Sequence, residues 1–128
     1  TGVVERDGVA RHLAAFHIAL QPGITEYASP LKLFEYMYLG SAVVAPDMAN
    51  IREILTAGRD AILFDEHSPE AMNAAILRLA EDPALRTRLG AQAKVTMTEK
   101  GLTWDNNARR VVDLAERAIA AATTGEPR

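Results

Sequence analysis

Residues 29–47 read SPLKLFEYMYLGSAVVAPD. Ser29-Pro30 offers an N-cap followed by proline at the first helical position. Leu31, Phe34 and Tyr38 recur at helical spacing and predict a single inward stripe. Gly40 stops that helix, because glycine takes the left-handed conformation beyond a helix end at no steric cost. SAVVAP (41–46) then has the unbroken apolar character of a strand covered on both faces. A helix feeding such a strand is half of a β/α unit, and the rest of the chain repeats the pattern.

Upstream, TGVVE (1–5) reads as a short strand or the tail of one, and DGVARHLAAF (7–16) sets Val9, Leu13 and Phe16 at helical spacing. HIALQP (17–22) is an apolar run halted by Pro22 and Gly23, so it predicts a strand containing His17 with the loop GITEYAS behind it. Downstream, Asn50-Ile51-Arg52-Glu53 has the spacing of a capping box and predicts a short helix reaching Ala57-Gly58, with Glu53 completing its cap. AILF (61–64) predicts the next strand. Ser68-Pro69 opens a longer helix with Met72, Ile76 and Leu79 inward. Asp82-Pro83 restarts it with Leu85, Leu89 and Ala93 inward, ending near Lys100-Gly101. Thr103 caps a last helix with Val111, Val112, Ala115 and Ile119 at core spacing and Trp104 as a core plug. Arg78, Arg86, Arg88, Arg109 and Arg110 read as a solvated helical face.

Strands alternating with helices build a parallel sheet with helices on both faces, the Rossmann-like α/β class. We expect one domain over residues 1–122 and a flexible tail over 123–128.

The 128 residues are 48% hydrophobic and 24% charged, an ordinary globular composition. A net charge of -3 argues against a nucleic-acid partner, which calls for clustered Lys and Arg. The absence of cysteine excludes disulfides and thiolate metal sites. His12, His17 and His67 lack metal-ligand spacing, so no metal site is expected. No apolar run reaches the roughly 18 residues of a membrane span, and no signal peptide is visible. The chain opens on Thr1 in the middle of an apolar run, which we read as a fragment.

Lys32 raises a functional question. It sits in the first turn of a helix, where the backbone already carries partial positive charge. An anion bound there would convert the mismatch into a charge-assisted contact. Glu35, an acceptor-only group one turn on, would then suit two sugar hydroxyls. The alternative is a solvated Lys32–Glu35 ion pair, worth about 0.2–0.5 kcal/mol. Spacing alone leaves both readings open.

Three runs resemble the C-terminal half of glycosyltransferase family 4: ASPLKLFEYMYLGSAVVAPDMANIREIL (28–55), GRDAILFDEHSPEAMNAAILRLAEDPALRTRLGAQAK (58–94) and LTWDNNARRVVDL (102–114). The order is specific: a Glu-bearing helix ending in Gly, the VVAP strand, a short Glu-containing helix, the ILF strand, DPALRTRLG and an aromatic at Trp104. The resemblance implies the donor-binding half of a GT-B fold, truncated at its N-terminus and separated from the missing N-terminal domain that holds the acceptor. It further implies retaining transfer of a sugar from a nucleotide-sugar, with no cofactor beyond that donor and no metal. The acceptor would be an unidentified sugar or lipid-linked molecule of the bacterial cell envelope or of a polysaccharide. The full enzyme would be cytoplasmic, with peripheral association at the inner face of the membrane, and the fragment alone inactive.

In that family two glutamates eight positions apart flank the donor. The second, which holds the ribose, matches Glu35. Backbone just before and within the helix holds the diphosphate and sugar, which matches the region from Ala28 to Lys32; with Tyr27, the donor-binding candidates there are Ser29, Pro30, Leu31 and Lys32. Independently of the resemblance, the helix N-terminus is expected to leave free N–H groups at Leu31 and Lys32. The first glutamate departs from the pattern: its position is Tyr27, and Glu26 lies one residue earlier. A catalytic, sugar-contacting role for Glu26 therefore requires a one-residue insertion. That departure favours the alternative of a non-catalytic Rossmann-like nucleotide- or partner-binding module. A sugar-nucleotide epimerase shares the architecture but not this motif order.

Overall fold

Five consecutive residues, Ala42 to Pro46, are all buried, and the sheet is built around them. The computed structural model of the chain describes residues 2–3, 5–23, 25 and 27–124. In chain order the elements are α1 (Arg6–Ala14), β1 (Ile18–Leu20), α2 (Leu31–Leu39), β2 (Ala42–Pro46), α3 (Ala49–Arg52), β3 (Ala61–Phe64), α4 (Pro69–Glu81), α5 (Pro83–Glu99) and α6 (Trp104–Thr124). They group into two compact units, Thr1–Met97 and Thr98–Arg128.

The first unit has the expected parallel sheet, in the order β1-β2-β3. β1 pairs with β2 through Ile18–Ala42, Ala19–Val43 and Leu20–Val44. β2 pairs with β3 from Val43–Ala61 to Pro46–Phe64. Side chains alternate along β2. Ala42 and Val44 join Phe64, Ala75, Leu79 and Leu89 in one buried cluster, which puts α4 and α5 on that face. Val43 and Ala45 point the other way and are equally buried. There α2 lies against β2. Fully buried leucines such as Leu79 and Leu89 contribute about 1.5–3 kcal/mol each by leaving water.

The inward stripe of α2 is Leu33, Tyr36 and Met37, not Leu31, Phe34 and Tyr38. Leu31 and Tyr38 are 57% and 65% exposed. Both stripes are apolar, so periodicity alone does not choose between them, and the sheet buries the set holding Leu33 and Met37. The helix ends as expected: Gly40 is left-handed at φ 72 and donates to Met37 O.

The N-terminal elements are shorter than expected. Thr1 and Val4 lie outside the described residues, and Gly2, Val3 and Glu5 form no strand. Glu5 instead precedes α1 as its N-cap. Phe16 N–H donates to Leu13 O, so the chain turns before the strand and leaves His17 exposed outside it.

Caps fix the later helices. Ser68 Oγ accepts from Ala71 N–H at 3.1 Å with Pro69 behind it, as its sequence predicts. Asp82 Oδ1 accepts from Leu85 N–H at 2.8 Å and separates α4 from α5. Arg86 and Arg88, expected in solvent, reach backbone carbonyls. Arg86 donates to Leu79 O at 2.7 Å, satisfying a carbonyl at the α4 C-terminus, and Arg88 donates to Gly58 O at 3.3 Å.

In the second unit Thr103 Oγ1 accepts from Asn106 N–H at 3.3 Å and caps α6. The core spacing of α6 is present but unburied. Val111, Val112 and Ile119 are 58%, 54% and 67% exposed, and Trp104, expected as a core plug, is 79% exposed. Among its described residues this unit holds the last residues of α5, a short lead-in and α6, and α6 is its one complete element. No helix among the described residues is long and apolar enough to cross a membrane.

Candidate functional site

Because the three strands are parallel, their carboxyl ends share one edge, and α2, α3 and α4 all begin there. Such an edge, with helix N-termini around it, is where open α/β sheets take ligands. Gln21 N–H donates to Val44 O at 2.9 Å and Asp47 N–H to Phe64 O at 2.7 Å, so the inter-strand bonding runs out to the edge.

At the start of α2 the backbone differs from the expectation. Pro30, not Ser29, is the N-cap residue, with φ -81 and ψ 69 and no side-chain cap. This is an inverse γ-turn. Leu31 N–H donates across it to Ser29 O at 2.9 Å, and Leu33 N–H donates to Pro30 O at 2.9 Å. Leu31 therefore has no free N–H to offer a ligand. Lys32 N–H has no backbone partner among the described residues. It is left as the donor at this end of the helix.

The other expected site residues distribute simply. Ser29, Lys32 and Glu35 are exposed, Pro30 is buried and Tyr27 is 92% exposed. Lys32 and Glu35 form no ion pair with one another. Glu26 lies outside the described residues. The Tyr36 phenol, 7% exposed, is pushed above its ordinary pKa, first by burial and then by the neighbouring Glu35 carboxylate.

Beside this helix start, Arg52 grips Asp47 with two charge-assisted hydrogen bonds of 2.5 and 2.7 Å. Those bonds, opposed in part by burial, hold the Asp47 carboxyl below the usual carboxylate range. The Arg52 charge is thus already matched within the chain. Arg78 lines an open hollow of about 330 Å³ with Phe64, Asp65 and Ala75.

Asn50 was expected to cap α3 and does not. Met48 occupies the N-cap position with no side-chain cap, and Asn50 sits inside the helix. Its Nδ2 donates to Thr25 O at 3.2 Å and to Ala28 O at 3.1 Å, tying α3 to the segment that leads into α2. Local spacing gives no sign of this, because the partners lie 25 and 22 residues earlier.

With this geometry in place, the similarity to known proteins is specific. A family profile described as Glycosyl transferases group 1 matches residues 1–82. The chain belongs to the glycosyl transferases group 1 family. Among its relatives is a D-inositol 3-phosphate glycosyltransferase from Nocardioides sp. (strain ATCC BAA-499 / JS614), 30% identical over 117 residues, covering 91% of this chain and 25% of that protein. A second D-inositol 3-phosphate glycosyltransferase, from Kineococcus radiotolerans, is 29% identical over 98% of this chain and 31% of its own length. This family member therefore spans about a quarter to a third of the length of these relatives. Two solved structures share the fold. Sucrose-phosphate synthase from Thermosynechococcus elongatus aligns with a TM-score of 0.82 at 21% identity, over 94% of this chain and 30% of that one. The C-terminal domain of a glycosyl transferase group 1 family protein from Francisella tularensis aligns with a TM-score of 0.65 at 17% identity, over 78% and 51%. The α/β unit of this family member has the Rossmann-like architecture of a GT-B half.

Proposed function

We propose that this chain is the donor-binding part of a retaining glycosyltransferase that moves a sugar from a nucleotide-sugar to a cell-envelope or polysaccharide acceptor. The observation that supports this reading best is the start of α2. There an open N–H and the cation of Lys32 stand one turn before Glu35, at the carboxyl edge of the sheet, and the two side chains do not pair with each other.

In this reading the donor diphosphate sits at the N-terminus of α2. The helix dipole, Lys32 N–H and the Lys32 ammonium stabilise the charge that grows on the leaving diphosphate as the glycosidic bond breaks. Glu35 accepts from the ribose hydroxyls and sets the register of the nucleotide. Glu26 serves as the catalytic carboxylate toward the transferred sugar, and Tyr27, Ser29, Pro30 and Leu31 belong to the donor-binding segment. The acceptor, a sugar or lipid-linked molecule, is held by an N-terminal domain outside this chain. The enzyme works in the cytoplasm, at the inner membrane face where the acceptor is lipid-linked. No metal or cofactor enters the proposal. The one-residue displacement of Glu26 favours a second reading, a nucleotide-binding module without transferase activity.

The test is calorimetric titration of the whole protein with UDP, GDP and ADP and with the matching nucleosides. Glu35→Gln keeps shape but exchanges a charged acceptor for a neutral one. It weakens binding of the preferred nucleotide by about 1–3 kcal/mol, roughly tenfold or more. Equal affinities for wild type and variant overturn the reading. Nucleotide binding without transfer from any nucleotide-sugar selects the module.

A further inference from the structure

We propose that Asn50 is a positioning residue of the donor site, fixing the backbone that turns into α2 so that Lys32 N–H meets the diphosphate in one place. The inference rests on the donor-site reading above and adds to it a residue on a different element.

The geometry is one-sided. Asn50 Nδ2 donates to the Thr25 and Ala28 carbonyls, while Oδ1 is buried with no hydrogen-bond partner. Two carbonyls fix the amide orientation, since rotating it would set oxygen against oxygen. Buried polar atoms in native proteins are nearly always paired. Here one acceptor stays unpaired while the amide keeps both of its donor bonds. Ala28 N–H also donates to Thr25 O at 3.0 Å, so Asn50 grips both ends of one hydrogen-bonded turn. That turn ends three residues before Leu31, the first residue of α2.

Asn50 acts from a firm platform. A helix of four residues has no stability of its own. This one is anchored by Ile51 and Met48, 0% and 7% exposed, and by the paired hydrogen bonds from Arg52 to Asp47 at the end of β2. The position of the segment before α2 is thereby referred to the carboxyl end of the central strand. Without the clamp, a diphosphate must order this backbone as it binds, and affinity falls by that cost. A nucleoside, which has no phosphate to meet Lys32 N–H, does not bear it. The effect is therefore specific to phosphate.

The experiment compares Asn50→Ala and Asn50→Asp in the whole protein. Hydrogen exchange is followed without ligand, and the nucleoside diphosphate preferred by the wild type is titrated beside its nucleoside. Asp has nearly the volume of Asn but presents only acceptors to two carbonyls. We expect both variants to speed exchange at the hydrogen-bonded amides of Ala28, Leu31 and Leu33 about tenfold relative to Val43 and Val44. We expect both to lose about tenfold or more in diphosphate affinity, with nucleoside affinity within about twofold of wild type. Wild-type diphosphate affinity in Asn50→Asp reduces the residue to packing and overturns the positioning role, as does an equal loss for nucleoside and diphosphate. A wild-type protein that binds no nucleoside diphosphate, yet shows the exchange difference, overturns the donor-site reading and the positioning role with it. Should Asn50→Ala not fold, Asn50→Asp and Asn50→Ser decide by the same measurements.

Discussion

Gly90 of α5 stands directly against Gly40, the glycine that ends α2. A Cβ built on Gly90 would lie 2.1 Å from the Gly40 carbonyl oxygen and 3.0 Å from its carbon. The obstacle is backbone, and Gly40 is itself committed to a left-handed φ of +72. Neither side has a flexible end that yields. Gly90→Ala therefore lowers stability by at least about 1–3 kcal/mol, the ordinary cost of overpacking a close contact. Gly40→Ala costs about 1–2 kcal/mol through its backbone conformation. Urea midpoints at constant slope measure both, and a Gly90→Ala change below about 0.5 kcal/mol refutes the close approach.

Lys32 is exposed and outside the core, so Lys32→Ala changes stability by less than about 0.5 kcal/mol. Its effect belongs to binding. Affinity for a nucleoside diphosphate falls about tenfold, affinity for the nucleoside much less, and the difference shrinks as salt screens the charge. Titration at two ionic strengths reads this, and equal losses for both ligands remove the phosphate from the role of Lys32.

Asp60 is fully buried between β3 and α5. One carboxyl oxygen accepts from Thr56 N–H at 2.6 Å and the other from Thr96 Oγ1 at 2.8 Å. Thr96→Val keeps the side-chain shape and removes that donor. Leaving the buried acceptor unpaired costs about 1–3 kcal/mol, measured as a shift of the denaturation midpoint. A neutral substitution would show that water replaces the hydroxyl.

The Asp47–Arg52 pair makes stability depend on pH in one direction. Asp47 has a depressed pKa in the folded chain, so the pair contributes fully above the unfolded carboxyl value of about 3.9. Its contribution is lost as pH falls from there through the lower folded value. The side chains are 62% and 38% exposed for Arg52 and Asp47, so solvent screening keeps the effect small. Asp47→Asn flattens stability against pH below about 4 and leaves its shape near neutrality unchanged. Thermal denaturation across that range tests it, and parallel curves for wild type and variant dismiss the pair.

The β/α alternation was legible because an apolar run such as 42–46 admits few placements other than the centre of a parallel sheet. The two Ser-Pro helix starts show where such reading stops. Ser68 caps α4 with its hydroxyl, whereas Ser29 is displaced by the tight turn at Pro30, which spends Leu31 N–H on the Ser29 carbonyl. Identical dipeptides thus give different caps, because φ and ψ at the junction come from the packing of the helix, not from the pair itself. The buried face of α2 differs from the expected stripe for a similar reason: two apolar stripes compete, and only the sheet decides. Asn50 lay beyond sequence logic altogether, since its role is defined by carbonyls far back in the chain. Lys32 and Glu35 stand out in the sequence as candidates because a cation at a helix start and an acid one turn on are local anomalies that need no tertiary knowledge.

The buried cluster that joins the sheet to α4 and α5 has a consequence for biosynthesis. Ala42, Val44 and Phe64 are translated before Ala75, Leu79 and Leu89, the residues that cover them. Leu89 follows Val44 by 45 residues, which at about 5–20 residues per second takes the ribosome roughly 2–9 s. Throughout that interval one face of the nascent sheet stays wet and adhesive. Until Leu89 clears the exit tunnel that face has no complete cover from its own chain, and slowing translation just downstream of Phe64 lengthens its exposure to water.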